Sequence, residues 1–239
     1  MDFDFAGLEV VELYGLRVPI DPRLMSEKII ESLSTGRYEK GEAERLPRLV
    51  RPGERVVEIG AGIGLVTAIV ATRTPAELVV AIEANPALPG YIAALHRLNG
   101  ASTVIRQALV TPAPADGPAV FKVHRDLWAS TTGWVNPKNC LRSVETPSIS
   151  LSDIAAEYRP SLLVVDLEPL AAWTAATTAP YCLAAADFRP FERVLIELKP
   201  KRFAPPEVKR VFDHFSAQGF AYSPAFSHGP LVLFERVGS

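Results

Sequence analysis

Residues 56 to 64 read Val-Val-Glu-Ile-Gly-Ala-Gly-Ile-Gly, and a second apolar run, Leu78-Val79-Val80-Ala81-Ile82, ends in Glu83, 25 positions beyond Glu58. No other feature limits the possible folds as strongly. An apolar stretch that stops at clustered glycines reads as a buried strand turning tightly into a helix, with backbone free to approach a ligand. A second strand ending in an acid delivers a carboxylate to ribose hydroxyls. Glycines alone would also serve a tight turn that binds nothing. Two acids at this spacing point instead to a nucleoside.

Charge narrows the choice of nucleoside. A nicotinamide-binding loop wants Gly-x-Gly-x-x-Gly after a strand that stays apolar up to its first glycine. Here the spacing is Gly60-x-Gly62-x-Gly64, and Glu58 lies two residues ahead of Gly60. A carboxylate in that place repels a pyrophosphate and suits a cation, such as the ammonium of the methionine part of S-adenosylmethionine (SAM). Electrostatics therefore favours SAM, with an NAD-dependent oxidoreductase as the alternative.

The chain has 239 residues, enough for one α/β domain with a full core. Its net charge of −2 gives no electrostatic case for nucleic acid. Two cysteines, Cys140 and Cys182, are too few for a metal site or a disulfide framework. The N-terminus carries acids where a signal peptide carries bases. The longest uncharged stretch, residues 169 to 186, is too weakly apolar and too broken by Pro180 to span a bilayer. A cytoplasmic protein with no membrane partner is expected. Its oligomeric state is open, a homodimer included.

Alternation of apolar runs and helical periodicity sets the organisation. Residues 8 to 18 suggest a hairpin with its turn at Gly15, followed by helices over 22–33 and from 40 to about 50, where Pro47 would kink or end the second. Strands are expected near 55–59, 78–82, 103–107, 161–166, 193–198, 218–223 and 230–236. Helices are expected near 63–73, 86–98, 151–158, 168–177 and 205–217. That order implies a Rossmann-like, mostly parallel sheet with helices on both faces. The loop between the last two strands is too short for a helical crossover, so the last strand should run antiparallel. Residues 1–52 form a segment packing on a core of 53–239. The Pro/Gly-rich stretch 111–149 reads as a small β insertion beside the site's mouth.

The chain resembles methyltransferases of the FkbM type from about residue 25 onward. The resemblance rests on Gly36-Arg37-Tyr38-Glu39 with Glu42, Val57-Glu58-Ile59-Gly60-Ala61-Gly62-Ile63-Gly64, Ile82-Glu83-Ala84-Asn85-Pro86, Leu98-Asn99-Gly100, Gln107-Ala108-Leu109, Ile149-Ser150-Leu151-Ser152-Asp153, Val165-Asp166-Leu167-Glu168 and Leu195-Ile196-Glu197-Leu198. The family's usual glycine after the fourth strand is Pro169 here. The resemblance implies a class I fold and SAM-dependent O-methylation of a hydroxyl on a small metabolite or sugar. A SAM-binding module without catalysis is a further alternative. An Asn/Asp-Pro-Pro-Tyr motif, expected for amino-group acceptors in nucleic acids, is absent after the fourth strand.

Roles follow from position. Glu58 would hold the methionine ammonium, or simply cap backbone amides at a strand end. Gly60, Ala61, Gly62 and Gly64 would line the loop under the cofactor. Glu83 would take both ribose hydroxyls, and Asn85, beside Ala84, would assist or start the next helix. Gln107 and Ala108 would face the adenine, unless Gln107 is solvated. Tyr38 and Glu42 are placed against the cofactor by the resemblance, although Tyr38 reads equally as a packed aromatic. Proton removal from an acceptor needs a base: Asp166 first, then Glu168, His124 and Glu197, with Asp166 also able to bind the ammonium. Trp128, Ser130, Thr131 and Trp134 would form an acceptor wall or cover the sheet end. Lys199, Lys201 and Arg202 are a solvated loop or orient an anion. No metal site is expected.

Overall fold

The computed structural model describes residues 3–114, 117–126, 130, 136–166, 183, 186–198 and 204–238. The chain opens with a hairpin of β1 (Val10–Leu13) and β2 (Leu16–Pro19), then α1 (Glu27–Ser34) and α2 (Lys40–Leu49). The core runs β3 (Arg55–Ile59), α3 (Leu65–Arg73), β4 (Leu78–Glu83), α4 (Pro89–Leu98) and β5 (Val104–Gln107). Short strands β6 (Leu109–Thr111) and β9 (Ser148–Ser150) pair in parallel. Between them lies an antiparallel ribbon of β7 (Ala119–His124) and β8 (Cys140–Thr146). The chain finishes through α5 (Leu151–Tyr158), β10 (Leu162–Val165), β11 (Arg193–Glu197), α6 (Pro205–Ala217), β12 (Phe220–Tyr222) and β13 (Leu231–Arg236).

Seven strands form one sheet in the order β12-β13-β11-β10-β3-β4-β5, and β13 alone runs against the rest. This is the class I methyltransferase architecture, with the reversed strand where the sequence places it. Side chains alternate between the sheet's faces. On one face Val57, Val80, Leu163 and Val194 pack with Ile154 of α5 and Val211 and Phe215 of α6. On the other, Val56, Val79, Val164 and Leu195 meet Leu46 and Leu49 of α2 and Val66 and Val70 of α3. Both faces are therefore covered, which is why the central strands read as largely apolar runs, broken in β3 by Glu58.

The N-terminal segment packs on α3 and α4: Leu13, Val18, Ile29 and Leu33 are buried with Ile69, Tyr91 and Leu95. The Tyr91 hydroxyl donates to the Pro19 carbonyl at 2.6 Å. Three helices start later than their periodicity predicts, each for a local reason. Asp21 accepts from the Arg23 amide in a turn, delaying α1 to residue 27. Asn85 accepts from the Ala87 amide in the same way before α4. Gly64, at φ +80°, holds the residue before α3 outside the helix. Conversely, α2 continues past Pro47 to Leu49. The helix expected over 168–177 lies outside the described residues.

Strand β7 matches the expected insertion strand. Its partner β8 is an addition, as are β6 and β9. The ribbon turns Phe121, Val123 and Val144 onto Ala84, at the end of β4. Among the described residues, no helix is long and apolar enough to cross a membrane.

Candidate functional site

The chain's order along the sheet reverses beside β3: β4 and β5 lie to one side, β10 and β11 to the other. Such a switch point opens a crevice at the carboxyl ends of the strands. The glycine loop fills the base of that crevice. Gly60, Gly62 and Gly64 have φ values of +86°, +54° and +80°. The amides of Gly60 and Ala61 both donate to the Ile82 carbonyl, at 2.9 and 3.1 Å, so the loop is drawn onto the end of β4. A Cβ at Gly64 would stand 2.7 Å from Ile92 Cγ2 and 2.9 Å from His96 Nε2. His96 is buried, bonds the Gly64 carbonyl at 2.8 Å through Nε2 and meets Thr103 Oγ1 at 2.6 Å through Nδ1. Burial lowers its pKa. Its role, pinning the start of α3 to α4, had no signal in sequence because its partners come from separate elements.

Glu83 closes β4 facing the loop. One carboxylate oxygen accepts from the Gly62 amide at 2.8 Å and the other from the Asn85 amide at 2.7 Å. Burial pushes its pKa up to about 7 against the pull of those amides. Two fixed donors set the carboxylate's orientation and leave lone pairs for a vicinal diol. Gln107 stands beside Glu83 in register on β5, and the Ala108 amide donates to the Glu83 carbonyl at 3.1 Å. The Ala84 carbonyl accepts from the Thr146 hydroxyl at 3.1 Å, tying this strand end to the ribbon.

Glu58 sits one residue before the end of β3 and is only 3 % exposed. Its Oε2 has no hydrogen-bond partner among the described residues. Burial raises its pKa well above the usual carboxylate range, and the charges of Asp166, Glu42 and Glu83 add to the rise. Asp166 follows β10, and its amide donates to the Ile59 carbonyl at 3.0 Å, fixing it across the end of β3. Tyr38 is buried above the loop, with its hydroxyl 3.2 Å from where a Gly62 Cβ would lie. Burial raises that hydroxyl's pKa, and Glu39, Asp166, Glu58 and Glu83 raise it further. Tyr38, Glu42, Glu58, Glu83 and Asp166 thus lie close enough to shift one another's ionisation, an acid-rich cluster beside the glycine loop. A buried oxygen without a donor costs about 1–3 kcal/mol, and a cationic ligand would supply what the cluster lacks. These residues fit SAM.

Other expected residues separate from this cluster. His124 ends β7, where its Nδ1 accepts from the Asp126 amide at 2.9 Å and its own amide donates to Ser130 Oγ at 3.0 Å. It lines a cleft of about 990 Å³ between residues 22–30 and the ribbon, which reaches Asn85 but is not lined by Glu58 or Asp166. Glu197 ends β11 at the same sheet edge as Glu58. Trp128, Thr131, Trp134, Glu168, Lys199, Lys201 and Arg202 lie outside the described residues. No cluster that could hold a metal ion occurs among the described residues.

Sheet order, glycine loop and strand-end acids define a class I SAM-dependent methyltransferase, which sets aside the dinucleotide alternative. At the level of family, the model of the TRM5/TYW2 methyltransferase domain matches residues 11–113. The resemblance to FkbM-type enzymes is thereby overturned. The glycine loop and Glu83 that carried much of it lie within the matched span. The match equally overturns a small-molecule or glycosidic acceptor with no nucleic acid, because the TRM5/TYW2 family acts on tRNA. Net charge is also a poor guide to the surface: Asp21, Glu42, Glu54, Glu58 and Glu83 are buried, against Arg193 alone among the described lysines and arginines.

Solved structures with a similar fold include M. jannaschii TYW2 in complex with AdoMet, 14% identical, with 96% of this chain and 87% of that chain covered at a TM-score of 0.48. Precorrin-6y C5,15-methyltransferase from Geobacter metallireducens GS-15 is 10% identical over 92% and 97% of the two chains, TM-score 0.48. Magnesium protoporphyrin IX methyltransferase from Synechocystis PCC 6803, with bound SAM, is 13% identical over 87% and 83%, TM-score 0.48. None of the curated proteins compared matches the chain.

Proposed function

We propose that this chain methylates RNA, with tRNA the acceptor class to test first. The acceptor half of the reading is supported by the TRM5/TYW2 match over residues 11–113, a span containing every cofactor-side candidate except Asp166. The cofactor half is supported above all by Glu83, whose two oxygens are aimed by the Gly62 and Asn85 amides. In this reading Glu83 takes the ribose diol, while Gln107 and Ala108 border the adenine. Glu58 and Asp166 face the cationic methionine end, and Tyr38 and Glu42 cover it.

SAM supplies an electrophilic methyl carbon on a sulfonium, so an acceptor lone pair forms the new bond as the carbon–sulfur pair returns to sulfur. The protein's share is alignment and the exclusion of water. The buried acids balance positive charge in the ground state, and the glycine loop leaves room for close backbone approach. In this reading Asp166, which follows β10, accepts a proton that the acceptor gives up.

The test is incubation with methyl-tritiated SAM and unfractionated tRNA, with DNA as a parallel acceptor, followed by digestion to nucleosides. Label should appear in a nucleoside from tRNA. Absence of label from every RNA offered, with SAM binding intact by calorimetry, would overturn the proposal.

A further inference from the structure

We propose that the cleft between residues 22–30 and the β7–β8 ribbon is a groove for the RNA backbone, with Arg125 and Arg142 as phosphate contacts. This rests on the RNA reading above and deepens it. The cleft holds about 990 Å³; Arg23, Glu27 and Lys28 line one wall and His124, Arg125, Asp126 and Arg142 the other, so its charged lining is four cations against two carboxylates. Its lining also includes Asn85, whose amide bonds Glu83, so it leads towards the end of β4 where the ribose acid lies.

Three observations argue for a polyanion. First, cationic side chains come from two separate segments; Arg23 and Lys28 on one wall are ion-paired with Asp21 and Asp126, which leaves Arg125 and Arg142 as the charge that a chain of phosphates would meet. Second, the walls are braced rather than loose. The Arg23 guanidinium is held by the fully buried Asp21, at 2.6 Å, while remaining largely exposed. Lys28 reaches across to Asp126 at 3.2 Å. Burial alone would raise the Asp126 pKa, yet the Lys28 contact and charge help to hold it below the usual value. Third, Arg125 and Arg142 make no ion pair among the described residues, so both are available to an incoming anion. Leu141, 60 % exposed, lines the same cleft with Leu24 and Ile30 and offers apolar surface to an unstacked base.

The R125E/R142E double variant tests this. Binding of tRNA to the protein saturated with S-adenosylhomocysteine would be measured by filter retention over a range of salt concentrations. The variant should bind at least tenfold more weakly than wild type. Its log–log salt slope should be shallower by about 1.4–1.8, the loss of two phosphate contacts. Lys209→Glu, which removes an exposed cation from α6 outside the cleft, should match wild type. Calorimetry with S-adenosylhomocysteine should give equal affinities for all three proteins and so establish that they are folded. A double variant with wild-type affinity and slope, beside a wild type that does label tRNA, overturns the groove alone. A wild type that neither binds nor labels any RNA overturns the RNA reading, and the groove with it.

Discussion

Replacing Glu83 with Gln tests the cofactor site most directly, because the change removes charge with little change of size. In the native site both carboxylate oxygens accept backbone amides, from Gly62 and Asn85. A glutamine turns an N–H towards one of those donors and weakens its bonds to the ribose diol. Hydrogen bonds to a charged group contribute roughly 1.5–3 kcal/mol, so S-adenosylhomocysteine should bind about 10- to 150-fold more weakly. The pH dependence is a second signature. With a pKa raised to about 7 by burial, the carboxylate is about one-tenth ionised at pH 6 and about nine-tenths at pH 8. Wild-type affinity should therefore tighten by about tenfold across that interval through this group. Glu42, Glu58, Asp166 and Tyr38 lie in the same cluster, so the difference between wild type and Glu83→Gln isolates the Glu83 share. Stability should move the other way. The folded protein holds this proton more tightly than the unfolded chain, so the contribution is full below pH 4.5 and is lost as pH rises towards 7. That loss amounts to roughly 3 kcal/mol in the ligand-free protein. Calorimetric titrations at pH 6 and 8 and urea unfolding at pH 4.5 and 8 supply the measurements. A folded Glu83→Gln protein with wild-type affinity at pH 8 would refute the reasoning.

Three further outcomes are expected. Gly64→Ala should cost about 2–4 kcal/mol in urea unfolding, since its Cβ meets Ile92 and His96 inside 3 Å at a positive φ; an unchanged midpoint would contradict this. Arg193→Met should lose about 3–5 kcal/mol, because it strands Glu54 from its buried ion pair and removes the 3.1 Å bond to the Leu49 carbonyl. Chemical denaturation with an unaltered slope would check it, and a loss under 1 kcal/mol would sink it. Asp166→Asn should lower turnover about 100-fold or more while S-adenosylhomocysteine affinity changes little; parallel losses would assign Asp166 to the cofactor instead.

The central strands were legible because both faces of the sheet are covered, leaving Leu78–Ile82 uniformly apolar and Val56–Ile59 apolar but for Glu58. The reversal of β13 was legible from a loop too short to carry a helix. Strand β8 was not, since Leu141, Arg142 and Ser143 are exposed and its partner β7 ends at His124, 16 positions before Cys140. Positions of Glu58 and Glu83 could be read because charge at the end of an apolar run is conspicuous. The acceptor could not be read from those positions. A SAM-binding fold serves enzymes with many acceptors, and total charge hides where charges lie. His96 escaped notice because Gly64, Thr67 and Thr103 meet it only after folding.

The position of β13 has a consequence for synthesis on the ribosome. Emerging from the N-terminal end, β12 leaves the exit tunnel before β13, yet in the finished sheet it pairs only with β13. It has nothing to join until its successor has threaded in beside β11. Up to that moment the apolar flank of β11 and the aromatic surface of α6, Phe212 and Phe215, await the Phe234 ring. That border closes only with the arrival of residues 231–236.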